Sequence, residues 1–379
     1  MKLNQRLLTG VALAAAFALP GVAHAQLKMG VAGPLTGGSA SFGAQLKMGA
    51  EQAVEDINAA GGVNGQKIQL SVGDDAGDPK QGISVANKFI GDGVKWVVGH
   101  FNSSVSIPTS RVYMDSNILQ ITPASTNPGL TEPDPKTKQS KWNVFRTCGR
   151  DDQQGAVAAD YMLKNAKGKK IAFIHDKKAY GKGLADETKK ALNAGGVKEV
   201  LYETINPGEK DYSAIVSKLK AAGADIVYYG GEHTEAGLLV RQMRDQGMST
   251  VLMGGDGVAS EEYAQIAGAG AEGTLMTFPP DPRLNPAAAS VVKKFEAKKF
   301  NPETYTLYSY AAVQVLQQAA EAAKSLDPKE LAKVMHSGKT FKTVVGDISY
   351  DKKGDVTRAD YVVYRWVKNP DGKIVYKQL

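Results

Sequence analysis

Residues 28–62 read KMGVAGPLTGGSASFGAQLKMGAEQAVEDINAAGG, and this stretch decides the architecture. It opens with a short, mostly apolar run over 28–32 that stops at Gly33-Pro34, as a buried strand does. Farther on, Leu46, Ala50, Ala53, Val54 and Ile57 recur at i, i+4, i+7, i+8 and i+11, which is one face of a helix. Gly61-Gly62 then ends it, because glycine accepts the backbone turn that follows a last helical turn. Strand, turn and amphipathic helix make one βα unit. Repeated, such units build a parallel sheet covered by helices.

The unit does repeat. The pattern predicts strands over 68–72, 95–98 and 118–121, with helices over about 79–90 and from about 105. A loop rich in Pro, Thr and Lys follows at 127–141, and the alternation then restarts. Strands are predicted over 170–174, 200–202, 225–229, 251–253 and 274–277, with helices between them, for example over 213–222 and 235–246. Two such runs joined by a loop predict an α/β protein of two doubly wound, Rossmann-like lobes.

The N-terminus sets the compartment. Lys2 and Arg6 precede an apolar run from Leu7 to Leu19, and Ala23-His24-Ala25 carries small residues where a signal peptidase reads. The run falls short of the roughly 18–20 apolar residues that span a bilayer. Residues 1–25 are therefore expected to be a cleaved signal peptide of a periplasmic protein. Cleavage would expose Gln26, which cannot carry the lipid of a lipoprotein, so no membrane anchor is expected. Of 379 residues, 354 would remain, enough for two domains of ordinary size. Cys148 is the single cysteine, so no internal disulfide can form, and it reads as a small buried hydrophobe. The formal charge of +7 comes from lysines dispersed among acids, unlike the clustered basic face of a nucleic-acid-binding protein.

Ligands of open parallel sheets bind past the carboxyl ends of the strands. In the first half those ends carry residues 33–42, then His100-Phe101-Asn102-Ser103-Ser104, then Thr122-Pro123-Ala124-Ser125-Thr126. In the second they carry His175-Asp176 onward to Tyr180, then Gly230-Gly231-Glu232, then Gly254-Gly255-Asp256. One set offers hydroxyls and backbone amides, the other carboxylates and an aromatic ring. A zwitterion needs both. Ser103 and Ser104 stand at a helix start, where either ordinary capping or the binding of an anion would use them. Asp256 is either a surface turn residue or a carboxylate aimed into a cleft.

Enzyme signatures are missing: no phosphate-binding P-loop, no nucleophile elbow and no zinc-protease helix occurs. With five histidines dispersed along the chain, no metal site is expected, and His100 reads as structural. The loop Asp74-Asp75-Ala76-Gly77-Asp78 lacks the ligand spacing of a calcium loop. No catalytic residue, cofactor or metal is expected.

The chain resembles the leucine–isoleucine–valine-binding proteins, the periplasmic receptors of branched-chain amino-acid ABC transporters. The likeness rests on Glu51-Gln-Ala-Val-Glu-Asp-Ile-Asn58, Asp78-Pro-Lys-Gln81, Gly99-His100, Ile121-Thr-Pro-Ala124, His175-Asp-Lys177 with Tyr180-Gly181, and Tyr228-Tyr-Gly-Gly231. It implies a type I periplasmic binding fold with hinge crossings near Arg146, Phe278 and Arg358. One lobe would hold residues 26–146 and 278–357, the other 147–277 and 358–379. It further implies a monomer that delivers its ligand to an inner-membrane ABC permease.

By the same resemblance, Ser103 and Thr126 hold the ligand's α-carboxylate. The Ala124 carbonyl, the Thr126 hydroxyl and the Asp256 carboxylate hold its ammonium, with Asp256 one methylene shorter than the family's usual Glu. Tyr180 closes over the ligand, and Ser125 and Asn102 belong to the same loops. The departures bear on ligand choice. Gly77 and Asn102 stand where some relatives have a disulfide, and Phe42 replaces a tyrosine. Phe101 stands for Leu, Tyr305 for Phe and Glu232 for Tyr. The first two of these shrink the side-chain pocket, which favours alanine, valine, proline or a short ω-amino acid over leucine. The rival reading is a soluble amino-acid sensor of the same fold.

Overall fold

The computed structural model describes residues 26–134, 137–358 and 360–379; the expected signal peptide lies outside them. The first sheet is built from β1 (Leu27–Gly33), β2 (Ile68–Asp74), β3 (Trp96–Val98), β4 (Leu119–Thr122) and β5 (Val144–Arg146). Its order is β2-β1-β3-β4-β5, parallel throughout. Helices α1 (Ala40–Ala59), α2 (Pro79–Gly91) and α3 (Ser103–Asp115) connect its first four strands. Every residue of β3 and β4 is buried, as in a sheet covered on both faces.

Past β5 the chain enters a second sheet. Helix α4 (Asp151–Asn165) leads to β6 (Ile171–His175), α5 (Ala179–Ala194), β7 (Leu201–Thr204) and α6 (Ser213–Ala222). Then come β8 (Ile226–Gly230), α7 (His233–Asp245), β9 (Val251–Gly254), α8 (Glu261–Ala267) and β10 (Leu275–Phe278). From β10 the chain returns to the first sheet through α9 (Ala289–Ala297), α10 (Thr304–Ala323) and α11 (Pro328–Met335), followed by the small hairpin β11 (Phe341–Thr343) and β12 (Gly346–Ile348). Helix α10 packs on α1. A Cβ on Gly49 would lie 2.1 Å from the Thr306 carbonyl oxygen, so only glycine permits this approach. Finally β13 (Val362–Lys368) and β14 (Ile374–Gln378) join the second sheet, whose order is β14-β13-β10-β9-β8-β6-β7. The chain thus crosses between the sheets three times.

The predicted strands and helices all form, within about two residues at their ends. The sequence reading does not contain β5 or β11 to β14, and two further features differ from it. The second sheet is not parallel throughout: β13 runs antiparallel to β10 and β14 antiparallel to β13. A tight turn at Asn369-Pro-Asp-Gly372, closed by Asn369 and Lys373, makes that hairpin. And α3 begins at Ser103 rather than near Val105, so Asn102 takes the cap position.

Candidate functional site

In each sheet the connection reverses direction beside one strand: β1 lies between β2 and β3, and β6 lies between β7 and β8. The loops leaving the carboxyl ends at these points face each other across one small, nearly closed cavity. The first sheet contributes Phe101, Asn102, Ser103 and Ala124. The second contributes Tyr180, Glu232, Asp256 and Gly257. Tyr305 reaches in from α10. Eight sequence-predicted residues therefore share one wall.

Three others stand behind it. Phe42 is fully buried and stacks on Phe101 at 4.6 Å between ring centres, with its edge set against Tyr305 at 5.5 Å. Ser125 turns into the first lobe's interior, donating to the carbonyls of His100 (3.1 Å) and Phe101 (2.9 Å). Thr126 is buried beside Asp151, whose N–H donates to the Thr126 carbonyl at 2.9 Å.

Asp256 is the chemical centre. Its Oδ1 accepts from the Tyr180 hydroxyl at 2.8 Å and the Gln154 amide at 3.0 Å, and its Oδ2 accepts from the Tyr305 hydroxyl at 2.7 Å. Gln154 returns an oxygen to the Asp256 N–H at 2.8 Å, and the Tyr180 hydroxyl accepts from Gly257 N–H at 2.8 Å. Burial pushes the Asp256 carboxyl above the ordinary carboxylate range, against the pull of these three donors. All three are neutral. Among the described residues no lysine, arginine or histidine forms an ion pair with it. Asp151, fully buried at the start of α4, is likewise pushed up, by burial first and then by Asp256.

The remaining polar groups fix the loops. Ser103 accepts from Asn127 N–H at 3.2 Å, so it holds the loop after β4 instead of capping α3. His100 is fully buried. Its Nδ1 lies 2.6 Å from Asp75 Oδ2 and its Nε2 lies 2.9 Å from the Tyr113 hydroxyl, which leaves neither nitrogen for a ligand. Asp74 accepts from Leu35 N–H and Ala76 N–H, and Asp78 caps α2, so the acidic loop is consumed by local structure. Arg146 is fully buried, forked between Asp355 and the carbonyls of Ser125 and Asn127, and it frames the loop that carries Thr126. A broader cleft of about 1130 Å³ lies at the crossings, near Pro279, Tyr308 and Arg358. Its acids Asp281, Asp347 and Asp360 are already paired with Arg283, Lys342 and Arg358.

The sequence reading missed Gln154 and Asp151. Both follow β5, and reading Val144–Arg146 as a strand would have put them at a carboxyl end.

Two acids near the cleft set a pH dependence. Asp176 and Glu303 are each pushed up to about 7, chiefly by burial and then by Glu232 and Glu261 respectively. Each keeps its proton in the fold between about pH 4 and pH 7, where the unfolded chain has released it. Stability from these groups therefore falls as pH rises through that window. The melting temperature should be higher at pH 5.5 than at pH 7.5, and Glu303→Gln should flatten the slope. An unchanged slope in that variant would refute Glu303's part.

Two doubly wound sheets linked by three crossings, with a charged cavity walled from both sides, define a two-lobed solute-binding protein. The sequence profile of the periplasmic binding protein family matches residues 26–373. A Leu/Ile/Val-binding protein homolog of Brucella suis is 57% identical over 376 residues, covering 99% of this chain and 100% of the relative. An amino acid binding protein of Pseudomonas aeruginosa is 50% identical over 381 residues, covering 100% and 99%. Among solved structures, the branched-chain amino acid transporter substrate-binding protein LivJ of Streptococcus pneumoniae, in complex with isoleucine, superposes with a TM-score of 0.82. It is 26% identical, with 94% of this chain and 99% of that one covered. The chain belongs to the periplasmic binding protein family, in its leucine/isoleucine/valine-binding group.

Proposed function

We propose that this protein binds a small neutral amino acid between its lobes in the periplasm, as a monomer, and presents it to an inner-membrane ABC permease. One observation carries the reading: Asp256 is a buried carboxylate at the wall of the cavity between the two sheets, supplied with three neutral donors and, among the described residues, no cation. A ligand ammonium completes it, since an unpaired buried charge is costly. Ser103, on the wall across from Asp256, receives the ligand's carboxylate, with Thr126 as the second donor from the loop behind that wall. The relatives' names point to amino acids and to branched-chain transport.

Size favours alanine, valine, proline or a short ω-amino acid over leucine. Phe101 and Tyr305 form the wall, and Phe42 packs against both rings, so neither can retreat. Forcing extra atoms into such a filled site costs roughly 1–3 kcal/mol. Competition calorimetry on wild type and Phe101→Leu tests this. Leucine should gain relative to alanine in the variant; leucine already preferred by wild type, with no gain, would refute the size argument.

Closure is the second test. A ligand that touches both lobes shifts the population toward the closed form. The radius of gyration in solution scattering should shrink on adding alanine or valine. A radius that stays constant while either binds would place the site within one lobe.

A further inference from the structure

We infer that Glu232 makes the far end of the cavity a hydrogen-bond acceptor, so that the protein selects amino acids with a donor beyond the α-carbon, a hydroxyl or a second amino group, over apolar isosteres. This rests on the amino-acid reading above and narrows it.

Glu232 lines the cavity and is 3% exposed, although it belongs to a residue type that is seldom buried. Its Oε2 accepts from the Ser39 hydroxyl and its Oε1 from the Asn102 amide, both from the opposite lobe. The only nearby cation among the described residues is Lys178, with Nζ 3.8 Å from Oε2. A carboxylate has about four lone-pair directions, and the protein fills two with neutral donors. The amide of Asn102 is oriented by this contact. A carboxylate only accepts, so Nδ2 must face it, which leaves Oδ1 buried without a hydrogen-bond partner. This end of the cavity therefore has surplus acceptors and a shortage of donors.

An apolar side chain placed there would face the unfilled acceptor directions of Glu232 and return nothing. A hydroxyl or ammonium returns a charge-assisted hydrogen bond, which is stronger than a neutral one. The discrimination is asymmetric: a site built to hydrogen-bond a ligand group rejects the analogue lacking it far better than it rejects one methylene. Phe101 and Tyr305 line the same cavity and restrict its size, so short donors are favoured over lysine-like chains.

The test uses ligand pairs matched in volume: threonine against valine, serine against 2-aminobutyrate, and 2,4-diaminobutyrate against norvaline. Calorimetry on wild type should show each donor ligand binding tenfold or more tightly than its partner. Glu232→Tyr, which restores the relatives' residue, should collapse these ratios. Glu232→Gln should keep most of the hydroxyl preference, because its amide oxygen still accepts, and lose the amino preference. Valine binding wild type as well as threonine, together with norvaline binding as well as 2,4-diaminobutyrate, overturns the inference and leaves the amino-acid reading standing. Should none of the six bind, the amino-acid reading itself fails. The wild-type ratios decide the question even where a variant does not fold.

Discussion

Replacing Asp256 with alanine is expected to weaken binding of every amino-acid ligand by a hundredfold or more. The reason lies in what the residue would leave behind. Tyr180, Tyr305 and Gln154 aim their donors at this carboxylate, and the Tyr180 and Gln154 oxygens already accept from the Gly257 and Asp256 N–H groups, so none supplies a negative charge to an ammonium. A ligand bound to the variant would bury its positive charge among donors. Breaking a buried pair from one side costs about 3–5 kcal/mol, and each 1.4 kcal/mol is tenfold in affinity. The loss should be uniform across ligands, because the clamp reads the ammonium they share. Asp256→Asn keeps the shape and removes the charge, so it should lose nearly as much. Calorimetry showing near-wild-type affinity in a folded Asp256→Ala protein would take this residue out of the site. Low pH should mimic the substitution in part: Asp256 must be ionised to hold a cation, and its raised carboxyl is neutralised as pH falls.

Arg146→Met should be the most destabilising single change, lowering stability by about 3–5 kcal/mol. The guanidinium is fully buried. It donates to Asp355 at 2.6 Å, the Ser125 carbonyl at 2.5 Å, the Asn127 carbonyl at 3.1 Å and the Thr131 hydroxyl at 2.7 Å. Burial works against the charge on Asp355, yet Arg146 and Arg150 hold it below the ordinary carboxylate range. Removing Arg146 takes away one of the two guanidiniums on that carboxylate, leaving Arg150, and strands the Ser125 and Asn127 carbonyls. Arg146→Lys should recover little, because an ammonium cannot fork across partners in several directions. Denaturant unfolding of both variants, with Asp355→Ala and the double mutant, checks the point. Single losses that simply add would show that the two residues are not coupled.

How much could be read in advance depended on how many residues each element offers. Helices such as α1, α2, α6 and α7 and the four- to seven-residue parallel strands carry a full period, and so were legible; the C-terminal strands β13 and β14 were not read. Strands β3, β5, β11 and β12 are three residues long, too short to show alternation. β3 was recovered from its position between helices, while β5 was lost, and with it Gln154 and Asp151 at the cleft. Strand β13 lies toward the edge of its sheet and is only partly buried, so its pattern blurs. At the site, the strand-end rule and the family likeness found eight residues of the wall. Neither could show that Phe42 supports Phe101 from behind, or that Ser125 faces inward, because those depend on contacts across the fold. The pairing of Glu232 with Ser39 and Asn102 spans more than a hundred residues of sequence and had no local signal.

The three crossings have a practical consequence for anyone who wants to watch this molecule work. Gln26 leads into β1 of the first sheet, whereas Leu379 follows β14 of the second. Positions beside β1 and beside β14 therefore ride on different sheets, and the closure proposed above would change the distance between them. Fluorophores attached there would report occupancy as energy transfer, without any probe inserted into a folded element. The same threading rules out the opposite experiment. A single cut at any one crossing leaves the other two intact, so neither half of the molecule can be produced as one uninterrupted polypeptide.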